Sequence, residues 1–344
     1  MTTAPTIIGI DLGKNWFHLI GLDERGATVL RQKLNRGQLA AYAATAPRGI
    51  IATEACPGSQ YWGRVFTQAG HDVRIVPAQF VKPYVKANKN DFHDAAAIAE
   101  AASRASLRCV PLKTMEQLEL QAFHRMRQRA VQERTAVVNQ MRALLLEHGI
   151  VVPVGRGLFE RHLPAVFTDA ELCLSPRLLA VLHRLRQRWL AIDGEIDAAT
   201  HDLTGWAAHS DLCQRLVTIP GIGPLIATAT VAAVGNGHMF ARGRDMAAWL
   251  GIVPRQHSTG GKPTLGGISK RGNTYLRQLF IQGAQSSFLY LKRDQSTLGM
   301  WLREVEVRRH RQVAVVALAN KMVRISWKVL TSEEAYQPYP TCVV

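Results

Sequence analysis

The chain has 344 residues, with 42 Lys+Arg against 26 Asp+Glu, a formal net charge of +16 and 47% hydrophobic residues. A disordered basic tail would be poor in apolar residues, so this composition excludes disorder and predicts a folded basic protein of two or three domains. Such a surplus of charge indicates a polyanionic partner, usually nucleic acid and less often an anionic membrane surface. The five cysteines form no CxxC pair, which argues against a disulfide framework or a zinc module.

The first hundred residues predict a mixed α/β domain. Strands are expected at Thr6–Asp11, Trp16–Leu22, Ala27–Leu34, Gly49–Glu54 and Asp72–Val76, because short apolar runs are bounded there by turn-forming residues. Helices are expected at 37–44, at 59–69 and from about Asp91, where an alanine-rich segment begins. Three strands followed by alternating helix and strand is the order of the ribonuclease H-like fold. We assign residues 1–112 to this domain.

The next segment predicts a helical arm. No Gly or Pro occurs from Thr114 to His148, and apolar residues recur there at helical spacing. We expect this helix to pair antiparallel with a second one at Pro176–Leu203 as a coiled coil, connected through the Gly- and Pro-rich Val151–Pro164, within an arm of residues 113–205. A single arginine here could belong to a solvated helix face, but as a set, with few acids nearby, they are predicted to face nucleic-acid phosphates. The set is Arg125, Arg127, Arg129, Arg134, Arg142, Arg184, Arg186 and Arg188.

Residues 206–344 predict a mainly α-helical domain. Near its start, Gly221 and Gly223 lie in a Gly-x-Gly turn before a helix, as in a helix-hairpin-helix element whose backbone N–H groups can bind a DNA phosphate. A plain tight turn is the alternative. After a helix near Arg244–Gly251 we expect a Gly/Ser/Lys-rich loop at Pro254–Gly272, then helices at Asn273–Tyr290 and about Leu298–Leu330.

Four acidic residues of the first domain predict a metal site. Asp11 and Glu54 each end an apolar strand, while Asp91 and Asp94 stand three residues apart on one face at the start of a helix. Such acids can converge on Mg²⁺, which prefers hard oxygen ligands and completes its shell with water and substrate phosphates. Taken singly, the helical acids could instead stabilise the helix dipole, and Asp11 could be a turn residue.

The loop after Pro254 carries candidate nucleophiles. Ser258 and Thr259 precede a Gly-Gly pair and lie in sequence among Arg255, His257 and Lys262. A hydroxyl that attacks a phosphodiester needs a base and needs cations around the phosphorane oxygens, which such a loop offers. A surface loop with capping hydroxyls is the alternative. Three further cations are predicted to clamp phosphates: Lys270, Arg271 and Arg277.

Six motifs in this order resemble the insertion-sequence transposases of the IS110 family, specifically its IS1111 branch. They are Gly9-Ile10-Asp11, Thr53-Glu54-Ala55, Lys89-Asn90-Asp91-Phe92-His93-Asp94-Ala95, Pro220-Gly221-Ile222-Gly223, Ser258-Thr259-Gly260-Gly261-Lys262 and Gly267 to Arg277. The resemblance implies a RuvC-like domain with a DEDD tetrad, here Asp11, Glu54, Asp91 and Asp94, then a coiled-coil arm and a C-terminal domain with a serine.

The resemblance also implies a mechanism and partners. The serine would attack a DNA strand to give a covalent phosphoserine, and the acidic site with Mg²⁺ of a neighbouring subunit would complete the centre, so we expect a dimer or tetramer. A structured guide RNA encoded by the element would pair with donor and target DNA. A gap-free match from Pro254 places the nucleophile at Thr259, but Ser258 is the only serine of the motif and is less hindered, so we expect Ser258 and keep Thr259 as the alternative.

Two rival functions stay open at this point. A RuvC-like nuclease would hydrolyse branched DNA with Mg²⁺-activated water and would need no serine. A non-catalytic nucleic-acid scaffold would use the acids only structurally. No stretch of the sequence is apolar enough to span a bilayer, so we expect a protein of the prokaryotic cytosol and nucleoid without membrane association.

Overall fold

The chain folds into two compact units, Met1–Thr114 and Met115–Val344. The computed structural model describes residues 4–85, 90–168, 172 and 174–338. Lys89, which opens the motif before Asp91, lies outside the described residues. The predicted boundary at 112/113 falls near the division between the units, while the predicted boundary at 205/206 falls inside the second unit and stays a prediction.

The first unit is built on a five-stranded sheet in the order β3-β2-β1-β4-β5. Its strands are β1 (Ile7–Leu12), β2 (Trp16–Leu22), β3 (Thr28–Asn35), β4 (Ile50–Glu54) and β5 (Asp72–Val76). Its helices are α1 (Arg36–Thr45), α2 (Ser59–Gln68), α3 (Ala78–Val81) and α4 (Asp91–Ala102), with a short 3-10 turn at Lys82–Tyr84. Strand β1 is antiparallel to β2, which is antiparallel to β3, whereas β1, β4 and β5 run parallel. The five strands predicted from the sequence, and their order along the chain, are confirmed.

Helices cover both faces of this sheet. On one face the buried alanines of α4 pack against Ile7, Ile20, Ala52 and Val76. On the other face, Ile8, Ile10, Phe17 and Ile51 pack with residues of α1 and α2. Since successive side chains of a strand point to opposite faces, this division fixes the face of every strand residue.

A glycine lets α4 approach β1 closely. A Cβ atom added at Gly9 would lie 2.2 Å from the carbonyl oxygen of Ala95 and 2.6 Å from the backbone nitrogen of Ala99. Glycine at this point of β1 and alanines on the facing side of α4 therefore allow the backbones to touch. This contact sets the position of the first turn of α4 over the sheet.

In the part of the second unit that the structure describes, the regular elements are helices and one hairpin. Its elements are α5 (Met115–Glu147), α6 (Arg156–Thr168), α7 (Pro176–His209), α8 (Asp211–Val217), α9 (Pro224–Val234), α10 (Gly243–Leu250), β6 (Pro254–Thr259), β7 (Lys262–Ile268), α11 (Thr274–Tyr290), α12 (Thr297–Arg308) and α13 (Arg311–Ser332). Among the described residues, no helix combines the length and the apolar character needed to cross a membrane.

The two long helices α5 and α7 pair antiparallel, as predicted. Arg127 contacts Thr200, and Arg134 contacts Asp193, so residue numbers rise along α5 as they fall along α7. The connection differs from the prediction, because much of it forms α6 instead of a Gly- and Pro-rich loop. Phe159 of this helix is fully buried in the core of the arm, and the helix also contains Pro164.

Two predictions for the last part of the chain are wrong. The expected loop at Pro254–Gly272 contains the hairpin β6-β7, because Gly260 and Gly261 both adopt positive φ and form a two-residue turn that suits the twist of paired strands. The single helix expected at Leu298–Leu330 is two helices. Arg309 is extended, and the Nδ1 atom of His310 accepts a hydrogen bond from the backbone of Gln312, so a new helix begins there.

Candidate active site

Four acids lie on the α4 face of the first unit, where β1 and β4 end. Ile10 is the register partner of Thr53 in the parallel pair, so Asp11 and Glu54 follow as neighbours on one face of the sheet. Asn90 caps α4 by accepting a hydrogen bond from the backbone nitrogen of Phe92 (2.9 Å), which places Asp91 and Asp94 in the first helical turn. The local structure therefore directs acids from two strands and one helix to the same place.

The carboxylates converge closely. One oxygen each of Asp11, Asp91 and Asp94 lies within 4.8 Å of the other two. Burial and then the charge of Asp94 raise the pKa of Glu54 above its usual range, so Glu54 also lies in the field of this cluster. Carboxylates this close repel one another unless a cation neutralises them, and hard oxygen donors suit a divalent cation. Asp11, Asp91 and Asp94 thus form a donor set that fits a divalent metal, while the place of Glu54 in that set stays a prediction.

His18 adjoins the cluster and was missed by the sequence analysis. It is the cross-strand partner of Asp11, only 7% exposed, and its Nδ1 atom lies 3.5 Å from a carboxylate oxygen of Asp91. Its ring contacts the ring of Phe92 edge-on, and the Arg31 guanidinium lies 4.1 Å above that same Phe92 ring. The register of the antiparallel β1-β2 pair is the signal that would have identified it.

The hairpin separates Ser258 from the cations predicted to surround it. Ser258 pairs with Pro263 across the strands, whereas Thr259 pairs with Lys262 and His257 pairs with Thr264. Paired residues share a face and neighbours along a strand alternate, so His257 and Lys262 lie on the face of Thr259. The Oγ atom of Ser258 accepts a hydrogen bond from the side-chain amide of Gln256 at 2.9 Å. Both hydroxyl residues are exposed.

The base of the hairpin is held by the segment predicted to clamp phosphates. Arg277 is 7% exposed and donates to the carbonyl oxygens of Leu250 (2.9 Å) and Arg271 (3.0 Å) and to the Thr274 hydroxyl (3.1 Å). The prediction of a phosphate contact is wrong for Arg277, because its guanidinium is buried and hydrogen-bonded within the fold. Arg271 is exposed, like the neighbouring Lys270.

The two glycines of the Gly-x-Gly turn have different environments. Gly221 has φ +87°, and a Cβ atom there would lie 2.6 Å from the carbonyl oxygen of Gly283 in α11. Packing and backbone conformation thus account for Gly221 without a ligand. Gly223 is exposed, precedes the first turn of α9 and has no atom near its Cβ position.

Five of the eight arginines predicted to face nucleic acid contact other residues of the protein. Arg134 and Arg188 form ion pairs with Asp193 and Glu133, because antiparallel pairing of α5 and α7 brings acids opposite them. Arg127 donates to Thr200 and Arg142 donates to the carbonyl oxygens of Pro153 and Gly155; the guanidinium of Arg186 lies 5.8 Å from the Phe167 ring. Exposed side chains belong to Arg125, Arg129 and Arg184, and in the hairpin to Arg255 and Lys262.

Comparisons with known proteins identify the family. A family model described as "Transposase IS116/IS110/IS902 family" matches residues 213–297, and the DEDD transposase model of IS110-type elements matches residues 8–150. The transposase for insertion sequence element IS1111A of Coxiella burnetii is 42% identical over 96% of this chain and 91% of the relative. The chain belongs to the IS110/IS116/IS902 family of transposases. The family resemblance predicted from the motifs is confirmed.

Two other related transposases match this chain over almost their whole length. The transposase for IS1328 of Yersinia enterocolitica is 43% identical over 95% of this chain and 97% of its own. A probable family 20 transposase of Pseudomonas aeruginosa is 41% identical over 96% of this chain and 98% of its own. Transposases of this family cleave and rejoin DNA, so the chain is an enzyme that acts on DNA.

Proposed function

We propose that this transposase is a RuvC-like DEDD enzyme of the ribonuclease H type in which Asp11, Glu54, Asp91 and Asp94 hold Mg²⁺. The observation that carries the proposal is the approach of carboxylate oxygens from β1 and from the first turn of α4 to within 4.8 Å. The sheet order β3-β2-β1-β4-β5 supports it, because Asp11 and Glu54 then lie at the carboxyl ends of adjacent parallel strands. When bound, the metal supplies Lewis acidity at a phosphodiester.

The residues of the site have different roles in this proposal. Asp11 and Asp94 are half-buried and provide fixed ligands, while the exposed Asp91 lies where solvent and substrate enter. Ionisation of Glu54 is unfavourable in the metal-free protein, since burial and then the charge of Asp94 raise its pKa. His18 contacts Asp91 and would restrict the rotation of that carboxylate.

We further propose that Ser258 is the nucleophile. Its Oγ atom would form a bond to phosphorus, its proton would pass to a base, and the bond from phosphorus to the leaving sugar oxygen would break as that oxygen gains a proton. The product is a phosphoserine linkage, which rejoining reverses. Exposure of the hairpin and the hydrogen bond from Gln256 support an accessible hydroxyl, and Thr259 remains the alternative position.

The remaining partners follow from the family resemblance. The proposal includes a structured guide RNA, donor and target DNA, and a dimer or tetramer in which the acidic site of a neighbouring subunit acts with the serine, in the bacterial cytosol. The net charge of +16 supports two nucleic-acid partners. Purification from the native host followed by sequencing of bound nucleic acid tests the guide, because a discrete RNA is then expected and random fragments would contradict it.

A trapping experiment tests the nucleophile. Labelled DNA carrying the ends of the element is incubated with the protein and separated on a denaturing gel, where a covalent adduct moves with the protein. We expect Ser258→Ala to abolish the adduct while Thr259→Ala retains it. Thr264→Ala is the matched control, since it removes another exposed hydroxyl of the same hairpin. Loss of the adduct in Thr259→Ala alone would assign the nucleophile to Thr259.

Metal binding tests the tetrad. Calorimetric titration with Mg²⁺ or Mn²⁺ should show binding that Asp11→Asn and Asp94→Asn weaken strongly. Glu24→Gln, which neutralises an exposed acid in the turn between β2 and β3, should bind as the parent does. Equal affinities in all variants would refute the metal site.

One observation favours a second candidate, a Mg²⁺-dependent nuclease that acts on branched DNA without a covalent intermediate. The hairpin places His257 and Lys262 away from the face of Ser258, so neither of these two groups lies beside that hydroxyl. Cleavage that depends on Asp11 but survives Ser258→Ala, with no adduct in the parent protein, would establish the nuclease.

A further inference from the structure

A cavity of about 390 Å³ lies in the second unit between α5, α9 and the start of α11. One wall is formed by Gln121, Arg125 and Gln128, which share a face of α5. The floor consists of alanines of α9, including Ala232 and Ala233. None of the described residues that line this cavity is acidic, which suits an anionic ligand.

The polar groups of the α5 wall are unused. The side chains of Gln121, Arg125 and Gln128 make no hydrogen bond or ion pair among the described residues, although both glutamines are partly buried. A side-chain amide that is partly buried loses some of its hydrogen bonds to water. Because the amide both donates and accepts, a ligand with donors and acceptors would replace those hydrogen bonds best. A small-residue floor adds a flat apolar surface without polar atoms of its own.

A hydrogen-bonded network fixes the back of the cavity. His124 is 3% exposed and contacts the Tyr275 hydroxyl and the Thr228 hydroxyl, each at 3.0 Å. Thr228 donates to the carbonyl oxygen of Pro224 (2.7 Å), so it accepts from Nε2–H of His124, and Nδ1 of His124 accepts from Tyr275. The network joins α5, α9 and α11, and therefore holds the cavity open in one shape.

We propose that this cavity binds one unstacked nucleotide of the nucleic acid on which the transposase acts. The base would lie on the alanine floor, the amides of Gln121 and Gln128 would meet the hydrogen-bonding edge of the base, and Arg125 at the rim would meet a phosphate. Bases taken out of a stack are recognised through such edges and flat apolar contacts. The volume lies at the small end of the range for ligand pockets, which matches a single nucleotide.

The position of the cavity supports a nucleic-acid ligand. Asn273 and Tyr275, which line it, lie two and four residues after Arg271, which is exposed like Lys270 at the base of the hairpin. A strand that these cations bind through phosphates would pass the cavity within a few residues. One nucleotide could thus be held apart from its neighbours beside the segment that carries Ser258.

Photocrosslinking tests the proposal. Short single strands of DNA containing 4-thiothymidine, and of RNA containing 4-thiouridine, are bound to the full chain and irradiated, and the adducts are mapped by mass spectrometry. We expect an adduct at Tyr275 or in the peptide from Gln121 to Gln128. An adduct with DNA alone, or with RNA alone, supports the proposal and assigns the nucleotide to that strand.

Variants separate the cavity from general charge. Ala233→Leu, which fills the floor, should lower the yield of this adduct roughly tenfold, as expected when the contacts of one base are lost. Gln128→Ala should lower it severalfold, whereas Gln140→Ala, at an exposed position of the same helix, and Arg161→Ala, which removes an exposed positive charge of α6, should not. Ala208→Leu on the exposed face of α7 controls for the added side chain, and thermal unfolding checks that each variant folds.

Three results would overturn the proposal. They are the absence of any adduct in the cavity with both DNA and RNA, an adduct that Ala233→Leu leaves unchanged, and a change of oligomeric state in Ala233→Leu with nucleic-acid binding intact. The last result would mean that a second copy of the chain occupies the cavity.

Discussion

Acidification should destabilise the second unit through His124. Burial, and then the charge of Arg127, lower the pKa of His124 from 6.5 to about 4. In the unfolded chain the imidazole takes up a proton near pH 6.5, whereas the folded protein resists protonation until about pH 4. The unfolded state therefore binds more protons between these two pH values, so the free energy of unfolding falls as the pH drops through this window. The contribution of His124 to stability is complete above the window.

The size of the effect follows from the two pKa values. Each unit of difference corresponds to about 1.4 kcal/mol, so His124 contributes about 2 kcal/mol of the loss between pH 7 and pH 5 and about 3 kcal/mol in full. Because His124 is only 3% exposed, screening by solvent reduces this free-energy contribution only slightly. Its Nδ1 atom accepts a hydrogen bond from Tyr275, and protonation would remove that acceptor.

Urea denaturation followed by tryptophan fluorescence at pH 7 and pH 5 measures the effect. The parent protein should lose about 2 kcal/mol more than His124→Gln over this interval, since glutamine does not titrate. His148→Gln, an exposed histidine just after α5, should lose as much as the parent. Equal losses in the parent and His124→Gln would refute the assignment of a neutral, buried His124.

Three further substitutions test the contacts that position the sites. Gly9→Ala should cost about 2 kcal/mol and weaken Mn²⁺ binding, because the added methyl group meets the Ala95 carbonyl at 2.2 Å and displaces α4. Glu54→Gln should raise the midpoint of thermal unfolding, measured at neutral pH in the presence of a metal chelator. Burial and the charge of Asp94 raise the pKa of Glu54, so its ionised form destabilises the metal-free protein. Arg277→Ala should lower the free energy of unfolding by about 2–4 kcal/mol, because buried carbonyl oxygens lose their donor.

Matched controls make these results decisive. Gly194→Ala, at a helical glycine of α7 with open space around it, should stabilise the protein by up to about 1 kcal/mol, so a loss in Gly9→Ala is not a general effect of alanine. A lower midpoint for Glu54→Gln in chelator would contradict the raised pKa. Arg271→Ala should leave stability within about 0.5 kcal/mol. If Arg277→Ala keeps its full stability but binds DNA more weakly, the prediction that Arg277 contacts a phosphate would be right after all.

The sheet of the first unit was predictable because its strands are short apolar runs between turn-forming residues. The four acids were predictable for the same reason, since strand ends and the i, i+3 spacing are visible in the sequence. His18 was not, because its place beside Asp11 depends on the register between β1 and β2. Register is fixed by the buried face of the assembled sheet, which single-strand patterns do not specify.

The second unit was predictable in its helices but less in its surfaces. Arg134 and Arg188 appear as free cations in the sequence, because the acids that pair with them lie more than fifty residues away on the opposite helix. The hairpin was missed because its strands are polar and exposed and show no alternation of buried residues. Arg277 was predicted to contact a phosphate because its hydrogen-bond partners in the fold are backbone carbonyl oxygens. Such partners leave no signal in the sequence.

The hairpin geometry bears on how a serine nucleophile would be activated. A primary hydroxyl at neutral pH needs a base or a metal to take up or replace its proton. His257 and Lys262 lie on the face of Thr259, and the Gln256 amide that contacts Ser258 donates a hydrogen bond but takes up no proton. If Ser258 attacks DNA, its activating group must therefore come from outside the hairpin. In the oligomer that we propose, the carboxylate cluster of a neighbouring subunit would provide that group, so mixing Ser258→Ala with Asp11→Asn protein should restore activity that each variant lacks alone.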